Sequence, residues 1–210
     1  MATGVILPET EETREHAATL IENGGVIAFR TDTFYGLGVD PLNPDAVARL
    51  RKLKGQDDSK PILLLIGDIS DMDRLIVNRS ETFELAARKF WPGPLTIVGR
   101  AASGLPDGLT AGTGTVGVRL PNDEKVLALV RLCGGALTAT SANFSGDPPA
   151  HSAEEVEGYF PKGIDLIIDG GRVVATQPST VLDLSQLEPR VIRDGVVSRK
   201  TLSGVLGFTL

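Results

Sequence analysis

Asp123-Glu-Lys-Val-Leu-Ala-Leu-Val-Arg-Leu-Cys-Gly-Gly-Ala-Leu-Thr-Ala-Thr-Ser-Ala-Asn143 reads as a helix-to-strand unit. A helical run, Val126 to Val130, is stopped by Gly134-Gly135 and hands over to a short apolar strand ending at Ala139. The order recurs along the chain. Glu11 to Asn23 is a helix with Ala17, Ala18, Leu20 and Ile21 on one face; Gly24-Gly25 ends it and Val26 to Phe29 follow as a strand. Asn43 caps a helix with Pro44 at its first position and Val47, Leu50 and Leu53 on its apolar face; it stops at Gly55, ahead of the apolar strand Ile62 to Ile66. Ser80 starts a helix to Phe90, broken by Trp91-Pro92-Gly93-Pro94 before the strand Leu95 to Gly99. Ser152 and Glu155 form a capping box for a helix ending near Phe160, and Leu166 to Ile168 is the next strand. Helices alternating with strands predict the α/β class. The closely spaced strands Val181 to Leu184 and Val191 to Arg193 predict that part of the sheet is antiparallel. Ser198 to Leu206 reads as a weakly amphipathic helix. No repeat or linker divides the chain, so one domain over residues 1–210 is expected.

Composition narrows the function. At 41% hydrophobic and 23% charged, the chain can bury a core without metal or disulfide, and Cys133 is its only cysteine. That thiol, following the Val126 to Val130 run, reads as a core group. The N-terminus lacks a basic segment followed by an apolar run, and no stretch approaches a membrane span, so a soluble cytoplasmic protein with no membrane partner is expected. With 27 acidic against 21 basic residues, net charge −6, a broad electrostatic footprint on nucleic acid is disfavoured, leaving at most a local basic patch for tRNA.

Several catalytic signatures fail on context. Gly112-Thr-Gly-Thr-Val-Gly117 matches the dinucleotide fingerprint by letter, but it enters a strand where that fingerprint opens a helix. There is no phosphate-binding Walker sequence and no nucleophile elbow. His16 and His151, the only histidines, both read as exposed, which disfavours a histidine-based triad; no ligand cluster suggests a protein-held metal. Chemistry by positioning and charge neutralisation is what remains.

The polar groups suited to that chemistry sit at the ends of apolar strands. Thr138 to Asn143 carries three hydroxyls and an amide with no charge, Pro or Gly. Thr31 to Tyr35 lies in a loop of hydroxyls, aromatics and glycines, as a pocket approached by backbone requires. Thr115-Val-Gly-Val-Arg-Leu120 alternates so that Val116, Val118 and Leu120 share a face and Thr115 and Arg119 project from the other. An arginine so placed can clamp a carboxylate or phosphate with two donors. Lys54 and Lys60 flank a polar loop, and Pro178-Ser179-Thr180 and Arg193 add further groups. Together they fit a cavity for an anionic nucleotide beside a small amino acid.

At these residues the chain resembles the YrdC/TsaC family of threonylcarbamoyl-adenylate synthases over nearly its whole length. The matching segments are Thr31-Asp-Thr-Phe-Tyr-Gly-Leu-Gly38, Leu53-Lys-Gly55 with Lys60-Pro61, and Trp91-Pro-Gly-Pro-Leu-Thr96. Val118-Arg-Leu-Pro121, Thr140-Ser-Ala-Asn-Phe-Ser-Gly146, Pro178-Ser-Thr-Val-Leu-Asp183 and Ile192-Arg-Asp-Gly195 complete the set. The resemblance implies a single α/β domain with a twisted mixed β-sheet flanked by helices around a large concave cavity. It implies synthesis of threonylcarbamoyl-AMP from L-threonine, bicarbonate and ATP, with Mg2+ carried on the ATP phosphates. The product would pass to proteins that build N6-threonylcarbamoyladenosine in tRNA. By the same resemblance Thr33, Arg119, the Ala139 backbone and Ser179 hold threonine. Lys54, Gln56, Lys60, Thr115, Ser141, Asn143 and Arg193 hold ATP, with Lys54, Ser141 and Asn143 nearest the chemistry. In one place the chain departs from the family: where a K-x-R pattern is usual, it reads Lys54-Gly55-Gln56, giving up a charged phosphate contact of about 1.5–3 kcal/mol. Lys60 or Arg51 could compensate. The alternative is a non-synthase relative that binds RNA or the ribosome through the basic helix face Arg49 to Lys54.

Overall fold

The computed structural model describes residues 4–55 and 60–208, so Gln56 lies outside the described residues. The strands, in chain order, are β1 (Val5–Pro8), β2 (Ile27–Arg30), β3 (Tyr35–Gly38), β4 (Leu64–Ile66), β5 (Ile76–Val77) and β6 (Leu95–Ala101). They continue with β7 (Thr115–Arg119), β8 (Ala136–Thr138), β9 (Thr140–Ser141), β10 (Leu166–Asp169), β11 (Thr180–Asp183) and β12 (Arg190–Arg193). The helices are α1 (Glu11–Glu22), α2 (Pro44–Lys54), α3 (Glu81–Phe90), α4 (Asp107–Thr110), α5 (Glu124–Leu132), α6 (Ala153–Tyr159) and α7 (Arg199–Leu206).

The helix signals act as the sequence predicts. Asn43 Oδ1 accepts from the backbone of Asp45 and Ala46 at 3.1 Å each, Ser80 and Ser152 cap α3 and α6, and α2 ends at Gly55; the capping box expected at Ser152 is not closed, because Glu155 accepts from the His151 N–H at 2.7 Å instead. The strands pair in two mixed sheets, in the orders β1-β10-β2-β3-β9 and β12-β11-β6-β7-β4-β8, with β5 added to β6. Each sheet contains parallel and antiparallel neighbours, because helical crossovers and tight hairpins both occur along the chain.

Tyr35–Gly38, read from its glycines as loop, is a central strand of the first sheet. A side chain at Gly38 would come within 2.9 Å of Phe29 and 3.0 Å of Leu137, so the glycine admits close packing between neighbouring layers.

A single hydrophobic cluster runs through both sheets, from Val26, Ala28 and Leu37 in the first to Leu64, Ile97, Val116 and Val118 in the second. A second cluster joins Ala17 and Ile21 of α1 and Val126, Leu129 and Val130 of α5 to residues of both sheets, Ile27 and Phe29 in the first and Leu65 and Leu137 in the second. The segment Ala136 to Ser141 belongs to both sheets: β8 pairs with β4 in one and β9 with β3 in the other. No helix among the described residues is long and apolar enough to cross a membrane.

Asn43 caps the helix that delivers Lys54. Asn43→Ala should lower stability by about 1 kcal/mol, or roughly 2–4 °C in midpoint, measured by thermal unfolding followed by circular dichroism.

Candidate functional site

Between the sheets lies a cavity of about 730 Å³ whose wall includes Thr31, Thr33, Lys60, Arg119, Ala139, Ser141, Asn143, His151, Ser179 and Arg193. Its floor is a row of the second sheet. Val181 on β11 pairs with Thr96 on β6 and with Arg193 on β12, and Arg119 on β7 pairs with Leu65 on β4. Thr96 stands one residue along from the Ile97–Val118 pair, which brings it beside Arg119. Gly117 keeps this face low: a Cβ there would lie 2.4 Å from Leu63, itself a wall residue.

Hydrogen bonds fix the polar groups along the row. Ser179 Oγ lies 3.0 Å from Thr96 Oγ1, and Arg193 donates from Nε and Nη2 to the Ser179 carbonyl at 3.1 and 3.0 Å and from Nη2 to Ser179 Oγ at 3.0 Å. Burial of the Arg193 guanidinium, then repulsion from Arg119, pulls its pKa below the ordinary arginine value. Arg119 is buried and donates from Nη1 to both carboxylate oxygens of Asp32, at 2.7 and 3.0 Å.

The opposite wall comes from the β2–β3 turn and the β9 segment. Thr31 Oγ1 accepts from the backbone of Thr33 and Phe34 at 3.2 Å each and donates to the Phe34 carbonyl at 2.7 Å, holding Thr33 at the wall. The Ala139 N–H is spent on the Leu63 carbonyl at 2.8 Å, so a ligand can meet that backbone only through its carbonyl. Asn143 donates both amide hydrogens, to the carbonyls of Phe144 at 2.9 Å and Asp147 at 2.6 Å. This fixes which end of the amide is oxygen: Oδ1 is buried and has no hydrogen-bond partner among the described residues.

Lys54 stands behind this wall. Its ammonium donates to the Ser141 carbonyl, and burial brings its pKa from 10.5 down to about 8. Of the four cations read as a basic helix face, only Lys52 is exposed: Arg49 is bound to Asp165, and Arg51 and Lys54 are buried. Arg51 donates to the carbonyls of Gly108 and Lys60, tying α2 to the chain entering β4. It does not line the cavity.

Of the residues predicted for the site, Thr33, Lys60, Arg119, Ala139, Ser141, Asn143, Ser179 and Arg193 come together around one cavity, and Lys54 adjoins it through Ser141. Thr115 does not join them. It starts β7, at the end opposite Arg119, and its hydroxyl lies 2.8 Å from that of Thr113. Same-face alternation is real but says nothing of how far a cavity extends along a strand. Asp32, Thr96, Asp147 and His151 were missed. His151, read as exposed, is half-buried in the wall: Nδ1 lies 3.1 Å from the Val173 carbonyl and the ring meets Phe34 edge-on. Thr96, a hydroxyl inside an apolar strand, and Asp32, inside the Thr31 to Tyr35 loop, left a trace in the sequence. Among the described residues no group of three or more His, Cys, Asp or Glu side chains gathers as a metal site.

Lys54 makes stability pH-dependent with a definite sign. Its pKa is lower in the folded than in the unfolded chain, so between about pH 8 and 10.5 the unfolded chain binds the extra proton and stability rises with pH. Relative to Lys54→Met, the native protein should be least favoured below pH 8 and gain ground up to pH 10.5, as read by urea unfolding across that range.

A family model for Sua5, YciO and YrdC proteins, described as "Telomere recombination", matches residues 19–195. A threonylcarbamoyl-AMP synthase of Pyrococcus abyssi is 37% identical over 191 residues, covering 91% of this chain and 56% of the relative. One of Thiobacillus denitrificans is 38% identical over 180 residues, covering 84% of this chain and 95% of the relative. The crystal structure of P. abyssi Sua5 complexed with L-threonine superposes with a TM-score of 0.91 at 35% identity, covering all of this chain and 62% of that one. This chain thus spans little more than half the length of its archaeal relative, and it belongs to the Sua5/YciO/YrdC family.

Proposed function

We propose that this protein is a threonylcarbamoyl-AMP synthase, joining L-threonine, bicarbonate and ATP to give threonylcarbamoyl-AMP, pyrophosphate and water. The observation that carries the reading is Arg119. Asp32 occupies Nη1, while Nε and Nη2 have no hydrogen bond among the described residues and are not buried orphans. That leaves a flat two-donor edge on the floor of a cavity whose wall also bears Arg193 and Lys60. Such an edge matches an amino-acid carboxylate, and the remaining cations match a nucleotide's phosphates. Relatives named threonylcarbamoyl-AMP synthase, and a threonine-bound family structure, supply the substrate class.

In this reading Arg119 holds the threonine carboxylate, with Thr33, Ser179 and the Ala139 carbonyl around the rest of the molecule. The amine adds to bicarbonate-derived carbon to form a carbamate with loss of water. The carbamate oxygen then attacks the α-phosphorus, and pyrophosphate leaves. The chain contributes alignment and charge: Lys60, Arg193 and Ser141 face the phosphates, and Lys54 steadies the Ser141 backbone or swings onto them. Gln56 can add a hydrogen bond but no charge, and Arg51, bound to backbone carbonyls, is poorly placed to replace it. The unpartnered Asn143 Oδ1 and the wall residue Asp147 are oxygen groups that suit a hard cation. Mg2+ bound there with the nucleotide would neutralise phosphate charge. Thr115 is given no contact. The product is a mixed anhydride prone to hydrolysis, so it suits direct hand-over to a tRNA-modifying acyl-transfer protein.

Purified protein given ATP, Mg2+, bicarbonate and threonine should release pyrophosphate only when all are present. Arg119→Lys, which loses the two-donor edge, should raise the KM for threonine at least about tenfold. Absence of threonine-dependent pyrophosphate, with none restored by Gln56→Arg, overturns the reading. Nucleotide affinity should weaken as pH rises past about 8, where Lys54 loses its proton, as measured by calorimetric titration with a non-hydrolysable ATP analogue.

A further inference from the structure

The cavity must receive two kinds of anion, a carboxylate and phosphates, and its cations are treated unequally. Lys60, Arg119 and Arg193 line the wall, and among the described residues only Arg119 is paired with a carboxylate. Its partner Asp32 does not line the cavity. It reaches across to Arg119 from the turn between β2 and β3, with side-chain exposures of 6% for Arg119 and 18% for Asp32. The neighbouring turn is tied down by Thr31, so the carboxylate is presented by a fixed loop. Among the described residues Arg193 has no carboxylate partner: it is held by the neutral carbonyl and hydroxyl of Ser179.

We infer that Asp32 is a positioning and specificity residue, which turns the Nε–Nη2 edge of Arg119 to the cavity and cancels its net charge, so that this edge takes a monoanionic carboxylate and leaves phosphates to the unpaired cations.

The inference rests on the synthase reading for the identity of the carboxylate, but its physics is general. A guanidinium carrying a full positive charge binds a polyvalent phosphate more strongly than a carboxylate, since attraction scales with the ligand's charge. Paired with Asp32, Arg119 keeps its donors and their planar geometry but loses most of that preference. Without the pairing, the triphosphate and the pyrophosphate product would compete for the amino-acid subsite in the same confined space. Asp32 thereby divides one cationic cavity into two subsites. Deletion should harm discrimination more than folding.

The test is calorimetric titration of the full chain with pyrophosphate and with threonine, separately and in competition, in the native protein, Asp32→Asn and Asp32→Glu. Asn keeps an acceptor for Nη1 and removes the charge; Glu keeps the charge. The native protein should bind both ligands with little mutual exclusion. In Asp32→Asn pyrophosphate should bind roughly tenfold tighter, the scale of one charge removed nearby in a partly screened site, and should displace threonine. Asp32→Glu should stay within a few-fold of native in pyrophosphate affinity, a recovery that a merely structural role would not link to charge. Equal pyrophosphate affinity in folded Asp32→Asn and native protein overturns the inference. So does mutual exclusion of the two ligands in the native protein, which decides the matter even if Asp32→Asn does not fold. A native protein that binds no threonine at all overturns the synthase reading alone, because the pyrophosphate comparison still reports the charge at Arg119.

Discussion

The two sheets are joined where one short segment passes from one to the other, at Thr138 and Ala139. Thr138 is fully buried, and its N–H donates to the Val39 carbonyl at 3.1 Å while its hydroxyl accepts from the Val39 N–H at 2.9 Å. One residue later the Ala139 N–H turns to the Leu63 carbonyl. A buried backbone that changes sheets must satisfy its donors on both sides of the change, and a threonine hydroxyl in place of a ladder bond makes this possible. The cavity takes wall residues from both sheets beside this crossing, Ala139 among them. Ser141 and Asn143 reach its wall because they follow the crossing directly.

From the other sheet, strand register does comparable work. β12, β11, β6, β7 and β4 place Arg193, Thr96 and Arg119 in one row, although they lie far apart in sequence. Because side chains alternate between faces, a one-residue slip in any of these pairings would turn a wall residue away. The strands are pinned by the apolar residues of their other face, Ile97, Val116 and Val118 among them. Core packing and site geometry are therefore one constraint: the residues that make the core cohere also aim the arginines.

Electrostatics separates the cations that the sequence shows as a group. Arg49 and Arg51 are consumed structurally, by Asp165 and by backbone carbonyls. Lys54 is buried against a carbonyl, a costly position for an ammonium, and its lowered pKa records that cost. Arg119 is matched by a carboxylate, while Arg193 and Lys60 have no carboxylate partner among the described residues. A helix reading based on dipole and exposure could not make these distinctions, because they depend on which neighbours arrive from other elements.

The helices and strands were legible from caps, glycine stops and apolar periodicity, since these act over a few residues and depend little on the rest of the chain. Asn43, Ser80 and Ser152 cap as read, and most predicted wall residues meet because strand ends carry them there. By itself the sequence determined the α/β class, the boundaries of most elements and the inventory of polar groups. Only the tertiary structure decided that pairing is shared between two sheets, that Thr115 falls outside the cavity while His151 falls on it, and that Asp32 pairs with Arg119. Those outcomes depend on long-range register and burial, which no local pattern encodes. A side chain's charge is written in the sequence, but its counterion is chosen by the fold.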